Sequence, residues 1–237
     1  MKSYRVFLFD ADETLFDFQR AEAGALASAF ASFGFDCDAS VCAQYHRLND
    51  ALWKQLETGA VTKEALQWMR FQQLGDALDI RFDPHEMNRR FMQGLSEGAF
   101  LLDGAADICH ALAAAGKTLC LVTNGTGFVQ RKRFARSGLA PDFRAVFISE
   151  DIGVPKPQPA FFEAVFRALP EFQPAEMLVV GDSMTADIAG GQAAGLDTCW
   201  YNPHGKPNTA APTYEIHALD ELMQFTERAD EAGTSGV

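Results

Sequence analysis

The chain has 237 residues, 48% hydrophobic and 22% charged, proportions typical of a globular protein. At roughly 150 residues per domain, this length suggests one large domain or one domain carrying a sizeable insertion. Thirty-two acidic against 20 basic side chains leave a formal net charge of -12. That field repels nucleic-acid phosphates and anionic membranes, so polymeric nucleic acid and lipid surfaces are disfavoured as partners.

The uncharged stretches 23–35 and 118–130 fall short of the ~18 apolar residues a membrane span requires. The apolar run at the N-terminus is short and ends in Asp10, unlike an export signal. Five cysteines (37, 42, 109, 120 and 199) include no Cys-x-x-Cys pair. Cys109, Cys120 and Cys199 sit among apolar neighbours and read as small buried hydrophobes. A reducing cytoplasm is the simplest setting.

In chain order, Tyr4 to Phe9 reads as a buried strand. Residues 17–98 follow as an all-helical insertion. Within it Thr62 caps a helix over Lys63 to Leu78. Asp83-Pro84-His85-Glu86 supplies a second start, with a capping acid, a proline at the first position and a glutamate three residues after the cap. Buried strands then recur at Thr118 to Val122, Ala145 to Ile148, Met177 to Val180 and Asp197 to Tyr201, with helices over about 127–137, 159–168 and 185–194 between them. This alternation predicts an α/β fold, a doubly wound parallel sheet with helices on both faces and the strand of Asp10 central. The expected domains are a catalytic core of 1–16 and 99–237 and a helical cap of 17–98. Gly98 and Gly104 are hinge candidates where the chain returns to the core. Glu227 to Val237 lacks an apolar face and reads as a frayed tail.

Chemistry-bearing residues cluster where the strands end. Phe9-Asp10-Ala11-Asp12-Glu13-Thr14 places two carboxylates just past the first strand, in the crevice where open α/β sheets bind ligands. By itself an acidic turn after a strand is common, because Asp also caps helices. The second strand ends in Thr123-Asn124-Gly125, a hydroxyl, an amide and free backbone at a helix start, suited to phosphate. The third is followed by Lys156 between Pro155 and Pro157, which restrict its backbone. The fourth ends in Gly181-Asp182 with Asp187 five residues on. Gly190 to Gly195 lacks the Lys-Ser/Thr of a P-loop and reads as close helix–sheet packing. Arg131-Lys132-Arg133 reads as a solvated helix face.

Acid-acid, hydroxyl, lysine and acid-acid at four successive strand ends resemble the haloacid dehalogenase superfamily, and the helical insertion after the first motif resembles its helical-capped subgroup. That resemblance implies a nucleophile at Asp10 forming an aspartyl-phosphate, a general acid/base at Asp12, phosphate held by Thr123 and Asn124, and charge neutralisation by Lys156. Mg²⁺ would be held by the Asp10 carboxylate, the Asp12 backbone carbonyl and Asp182, with Asp187 orienting Lys156 or a metal-bound water. An acid at Asp12 favours phosphoryl chemistry over dehalogenation, since a halide leaves without a proton.

The strings 9–16, 123–125, 148–157, 181–183, 187–195 and 198–202 further resemble bacterial pyrimidine 5′-nucleotidases, with Ala11 the most distinctive element. The substrate this implies is a small phosphate monoester such as dUMP, UMP or dTMP. A phosphatase for a small sugar or organic-acid phosphate, such as phosphoglycolate, is the nearest rival. A catalytically dead sensor is disfavoured because every motif position is filled. A nucleobase would stack on an aromatic face, and Phe16 and Phe18 are the nearest candidates in sequence, although aromatics such as Trp68 and Phe71 more often make a cap's own core.

Overall fold

The structure is a computed structural model that describes residues 2–208 and 210–226. After strand β1 (Val6–Phe9) come helices α1 (Phe18–Ala31), α2 (Ala39–Glu57), α3 (Lys63–Leu78), α4 (Pro84–Glu97) and α5 (Ala105–Ala114). Strand β2 (Thr118–Thr123), helix α6 (Gly127–Arg136), strand β3 (Phe143–Ile148) and helices α7 (Ser149–Ile152) and α8 (Pro159–Ala168) follow. The chain continues through β4 (Met177–Gly181), a π-helical turn (Met184–Ala189), α9 (Gly190–Ala193), β5 (Asp197–Tyr201) and β6 (Tyr214–Ile216) to a 3-10 turn at Leu219–Phe225. Among the described residues, no helix is long and apolar enough to cross a membrane.

The described residues form two compact units, and the first holds those within 2–16, 101–127 and 137–226. Its six strands are all parallel, in the order β3-β2-β1-β4-β5-β6. Parallel strands covered on both faces must be apolar throughout, and every residue of Val6–Phe9 and Met177–Gly181 is buried. Val6, Leu8, Cys120, Val122 and Val179 pack on Phe161, Phe162 and Val165 of α8. A Cβ on Gly191 would lie 2.7 Å from the Thr198 side chain, and one on Gly190 2.8 Å from Pro157. Gly191 is therefore a spacer between helix and sheet, and Gly190 one between helix and the loop after Lys156.

The second unit, residues 17–100 and 128–136, is helical. Each of its first four helices begins on a short polar acceptor that satisfies a free amide: Asp17 to Arg20 N at 2.9 Å, Asp38 to Val41 N at 3.0 Å, Thr62 to Ala65 N at 3.2 Å, and Asp83 to His85 N at 2.9 Å. The core comprises Leu26, Phe30, Tyr45, Phe71, Leu74, Met87 and Phe91, joined by Val129 of α6. Close approach of α4 to α1 depends on Gly94 and Gly98. A Cβ on Gly98 would lie 2.7 Å from the Ala21 methyl.

The fold class is the one the sequence predicts, with β1 inside the sheet, and four features differ in detail. The edge strand β6 is additional to the five expected. The helix expected over 185–194 begins as a π-turn at Met184–Ala189. Helix α6 packs with the helical unit, whereas the sequence expectation draws that unit at 17–98 alone. The basic run is a solvated face only in part: Arg131 is exposed, but Arg133 is fully buried, its Nε donates to the Gly98 carbonyl at 3.0 Å, and its guanidinium lies over the Phe18 ring. Lys132 and Arg136 both pair with Glu97. The residues expected to form a frayed tail lie outside the described ones.

Candidate active site

The site is built from loops at the carboxyl ends of the central strands, all within the α/β unit. Asp10 continues the ladder beyond β1, its amide donating to the Val180 carbonyl at 2.8 Å. The chain then turns tightly: the amides of Leu15 and Phe16 both donate to the Ala11 carbonyl, and Glu13 sits in the left-handed region at φ 59°. This turn delivers Thr14, fully buried, whose hydroxyl accepts the Asp182 amide at 3.1 Å and ties the first loop to the fourth.

Lys156 is the centre of the site. Its side chain is 1% exposed, and Nζ donates to Asp10 Oδ1 at 2.7 Å, to Asp187 Oδ1 at 2.6 Å and to the Val122 carbonyl at 2.7 Å. All three ammonium protons are thereby used. Asp187, 1% exposed, also accepts the Ser183 amide through Oδ2 at 3.1 Å. Gly181 is required here, since a Cβ at that position would meet the Asp187 carboxyl at 2.3 Å.

Carboxylate oxygens of Asp10, Asp182 and Asp187 lie within 4.8 Å of one another. Burial raises the Asp10 carboxyl, with Asp187 and Asp12 adding to the rise and Lys156 opposing it. Burial likewise raises Asp182 well above the usual carboxylate range, reinforced by Asp10 and Asp187. For Lys156, burial disfavours the charged form but is outweighed by Asp10 and Asp187, so the ammonium is held more firmly than in water. One cation therefore faces more negative charge than it can balance.

The structure brings Asp10, Lys156, Asp182 and Asp187 together. Asp12 is partly buried, and its charge acts on Asp10. Thr123 is 1% exposed, and its hydroxyl accepts the Gly125 amide at 3.0 Å. Asn124 differs from expectation. Its Nδ2 donates to the Lys156 carbonyl at 2.8 Å and its Oδ1 accepts the Lys156 amide at 2.9 Å. The side chain expected at a phosphate is instead a clamp on the lysine loop. Glu150 accepts the Gly127 amide at 2.7 Å at the start of α6. Phe16 has no exposed surface on which a base could stack, and Phe18 packs against the core of the helical unit. Sequence reasoning also missed Trp200, whose indole donates to the Asp182 carbonyl at 2.9 Å. An aromatic at the end of a buried strand carries no signal of such a bond.

Residues 4–195 match the family model of haloacid dehalogenase-like hydrolases. The chain belongs to that family. The hydrolase is 43% identical over 227 residues to the HAD-hydrolase YfnB of Bacillus subtilis, covering 95% of this chain and 96% of YfnB. The crystal structure of YfnB bound to magnesium superposes with a TM-score of 0.91 at 41% identity, covering 96% of this chain and 100% of that one. Two pyrimidine 5′-nucleotidases are also similar over nearly their whole length. PynA of Streptococcus pneumoniae is 37% identical over 95% of this chain and 96% of its own. YjjG of Escherichia coli is 34% identical over 92% and 95%. With these relatives, the hydrolase is a phosphatase of the superfamily.

Proposed function

We propose that the chain is a Mg²⁺-dependent 5′-nucleotidase acting on pyrimidine nucleoside monophosphates through an aspartyl-phosphate at Asp10. The observation that carries the phosphoryl chemistry is the buried contact of Asp10 with Lys156 and Asp187 beside Asp182. The pyrimidine preference is supported by the similarity to PynA and YjjG.

The residues fit a divalent cation. The Asp182 carboxylate accepts no hydrogen bond from a side chain or amide among the described residues, and the three carboxylates offer hard oxygen donors of the kind Mg²⁺ takes. Asp10, Asp182 and the Asp12 backbone carbonyl would hold the ion. When bound, it supplies charge neutralisation for these carboxylates and for the transferring phosphoryl group. Asp187 is already committed to Lys156 and the Ser183 amide, so it serves as the lysine's anchor.

The residues of the chain then divide the chemistry. An Asp10 oxygen attacks phosphorus in line and forms the P–O bond of the aspartyl-phosphate as the ester P–O bond breaks. Asp12 donates a proton to the leaving ribose oxygen and, now ionised, takes a proton from the water that attacks phosphorus. The Asp10–phosphorus bond breaks, inorganic phosphate leaves, and both residues return to their starting states. Lys156 holds Asp10 in position and counters its charge. Thr123, whose hydroxyl accepts the Gly125 amide at the end of β2, would hold the phosphate.

The test is phosphate release from a panel of nucleoside monophosphates and sugar phosphates with Mg²⁺. UMP, dUMP and dTMP rank first on this reading. Sugar phosphates ranking equal or higher would remove the substrate assignment and leave the reaction class standing.

A further inference from the structure

The end of β5, outside the four strand-end motifs, holds a second lysine in the same way as the first. Asn202 directly follows β5 and is 2% exposed. Its Nδ2 donates to the Lys206 carbonyl at 3.0 Å, and the Lys206 amide donates to its Oδ1 at 2.8 Å. Asn124 grips Lys156 through the same pair of bonds. Asn202 is itself anchored: Nδ2 also donates to Glu215 Oε1 at 2.7 Å, its carbonyl bonds His217 Nδ1 at 2.7 Å, and its amide donates to the Ile216 carbonyl at 2.8 Å. Gly205, at φ 62°, supplies the left-handed turn between asparagine and lysine. The two lysines differ in one respect: Lys156 is buried, and Lys206 is exposed.

The loop of Lys206 leaves the sheet beside the carboxylates. β5 is the neighbour of β4, with Trp200 opposite Gly181 in register, and the Trp200 indole is bonded to the carbonyl of Asp182. Lys206 follows Asn202 by four residues and is bonded back to it, so its loop begins at the same carboxyl end of the sheet as the loop of Asp182. Chemistry supplies the need. A phosphate monoester is close to a dianion at neutral pH, and it must approach three carboxylates on a chain of net charge -12. Lys156 has no N–H left to offer it, since all three are given to Asp10, Asp187 and Val122.

We propose that Lys206, its backbone fixed by Asn202, is a second cationic contact for the substrate's phosphate at the carboxyl end of β5. Lys156 balances the nucleophile from below; Lys206 draws in and orients the incoming anion. This rests on the phosphatase reading above and adds a recognition residue to it.

The test compares the parent, Lys206→Gln, Lys206→Arg and Asn202→Ser with UMP and with inorganic phosphate as competing ligand. Lys206→Gln is expected to raise KM and the phosphate inhibition constant by about five- to twentyfold, with a smaller change in kcat. It should also flatten the fall of kcat/KM with ionic strength, which a structural role would not do. Lys206→Arg should recover most of the loss, and Asn202→Ser should show a weaker form of the same KM effect. Parent values of KM, inhibition constant and salt slope in Lys206→Gln would overturn the proposal. So would a change confined to Mg²⁺ affinity. If the parent released no phosphate from any monoester, the phosphatase reading would fail by itself; calorimetric binding of inorganic phosphate to parent and Lys206→Gln, in Mg²⁺, would still decide whether Lys206 holds the anion.

Discussion

Lys156 in the α/β unit and Arg70 in the helical unit are both buried cations, 1% and 4% exposed, but they are balanced in different ways. Arg70 lies over the rings of Phe91 and Phe71 and donates to Asn88 Oδ1 at 2.7 Å, Asn49 Oδ1 at 3.3 Å and the Gln67 carbonyl at 3.3 Å. The buried carboxylate whose charge it meets is Glu22, which also accepts from Asn49 Nδ2 at 3.3 Å and lies 2.8 Å from His46 Nδ1. Here the charges close within the chain, largely through neutral amides. Around Lys156, Asp10 and Asp187 pair with one ammonium and the Asp182 carboxylate lies within 4.8 Å of theirs, which leaves two negative charges in excess over that ammonium when all three are ionised. Buried polar groups of the first kind hold a fold together. The second kind is an arrangement completed only by a cation from outside, and that is how a functional site differs from a structural network of similar burial.

The contrast can be broken by mutation on either side. The largest effect is expected for Asp10→Asn. Turnover of UMP should fall by at least about a thousandfold through loss of the nucleophile. The thermal midpoint should not fall, because a charge in excess is removed; phosphate release and a circular-dichroism melt check the two halves. Arg70→Met should do the reverse. It leaves the Asn49 and Asn88 oxygens unpartnered and removes one of the two groups whose charge offsets the burial of Glu22, at a cost of about 3 kcal/mol in urea unfolding. If Asp10→Asn destabilised the protein as much as Arg70→Met, the two networks would be of one kind.

Asn124→Ala comes next. Freed of two bonds, the Lys156 loop should lose alignment and kcat should fall by roughly ten- to a hundredfold, with KM changing less. A rise in KM alone would return Asn124 to the phosphate. The smallest effect is expected for Glu22→Gln. Burial raises the Glu22 carboxyl, against the pull of His46 and Arg70, so the folded state favours its protonated form. Its stabilising contribution is full below the ordinary carboxylate pKa and is lost as pH rises through the raised value. Glu22→Gln should therefore stabilise by about 1 kcal/mol near pH 8 and by less near pH 4.5, read as urea midpoints at the two pH values.

Much of this was legible in the sequence. Apolar runs ending in acid, hydroxyl, lysine and acid marked β1 to β4 and their loops, because a strand buried on both faces has no freedom in composition. The caps at Thr62 and Asp83 were equally plain. What stayed hidden depends on partners far along the chain. Asn124 and Asn202 carry no mark of which backbone they will grip. Arg133 resembles its exposed neighbour Arg131 until the Gly98 carbonyl and the Phe18 ring are brought to it. The three-residue β6 is too short to show alternation. The wide turn at Met184–Ala189 contains the Asp187 that anchors Lys156, a local departure from α-helix of the kind often found at functional sites.

The excess of negative charge at Lys156 is tested most directly by calorimetric titration of the protein with Mg²⁺ near pH 7, in buffers of different ionisation enthalpy. Asp10, pushed up to about 7, and Asp182, raised in the same direction, should surrender protons to the buffer as one ion per chain binds. Asp182→Asn should weaken that binding by about a hundredfold or more. Absence of Mg²⁺ binding in the parent, or equal binding by Asp182→Asn, would contradict the account.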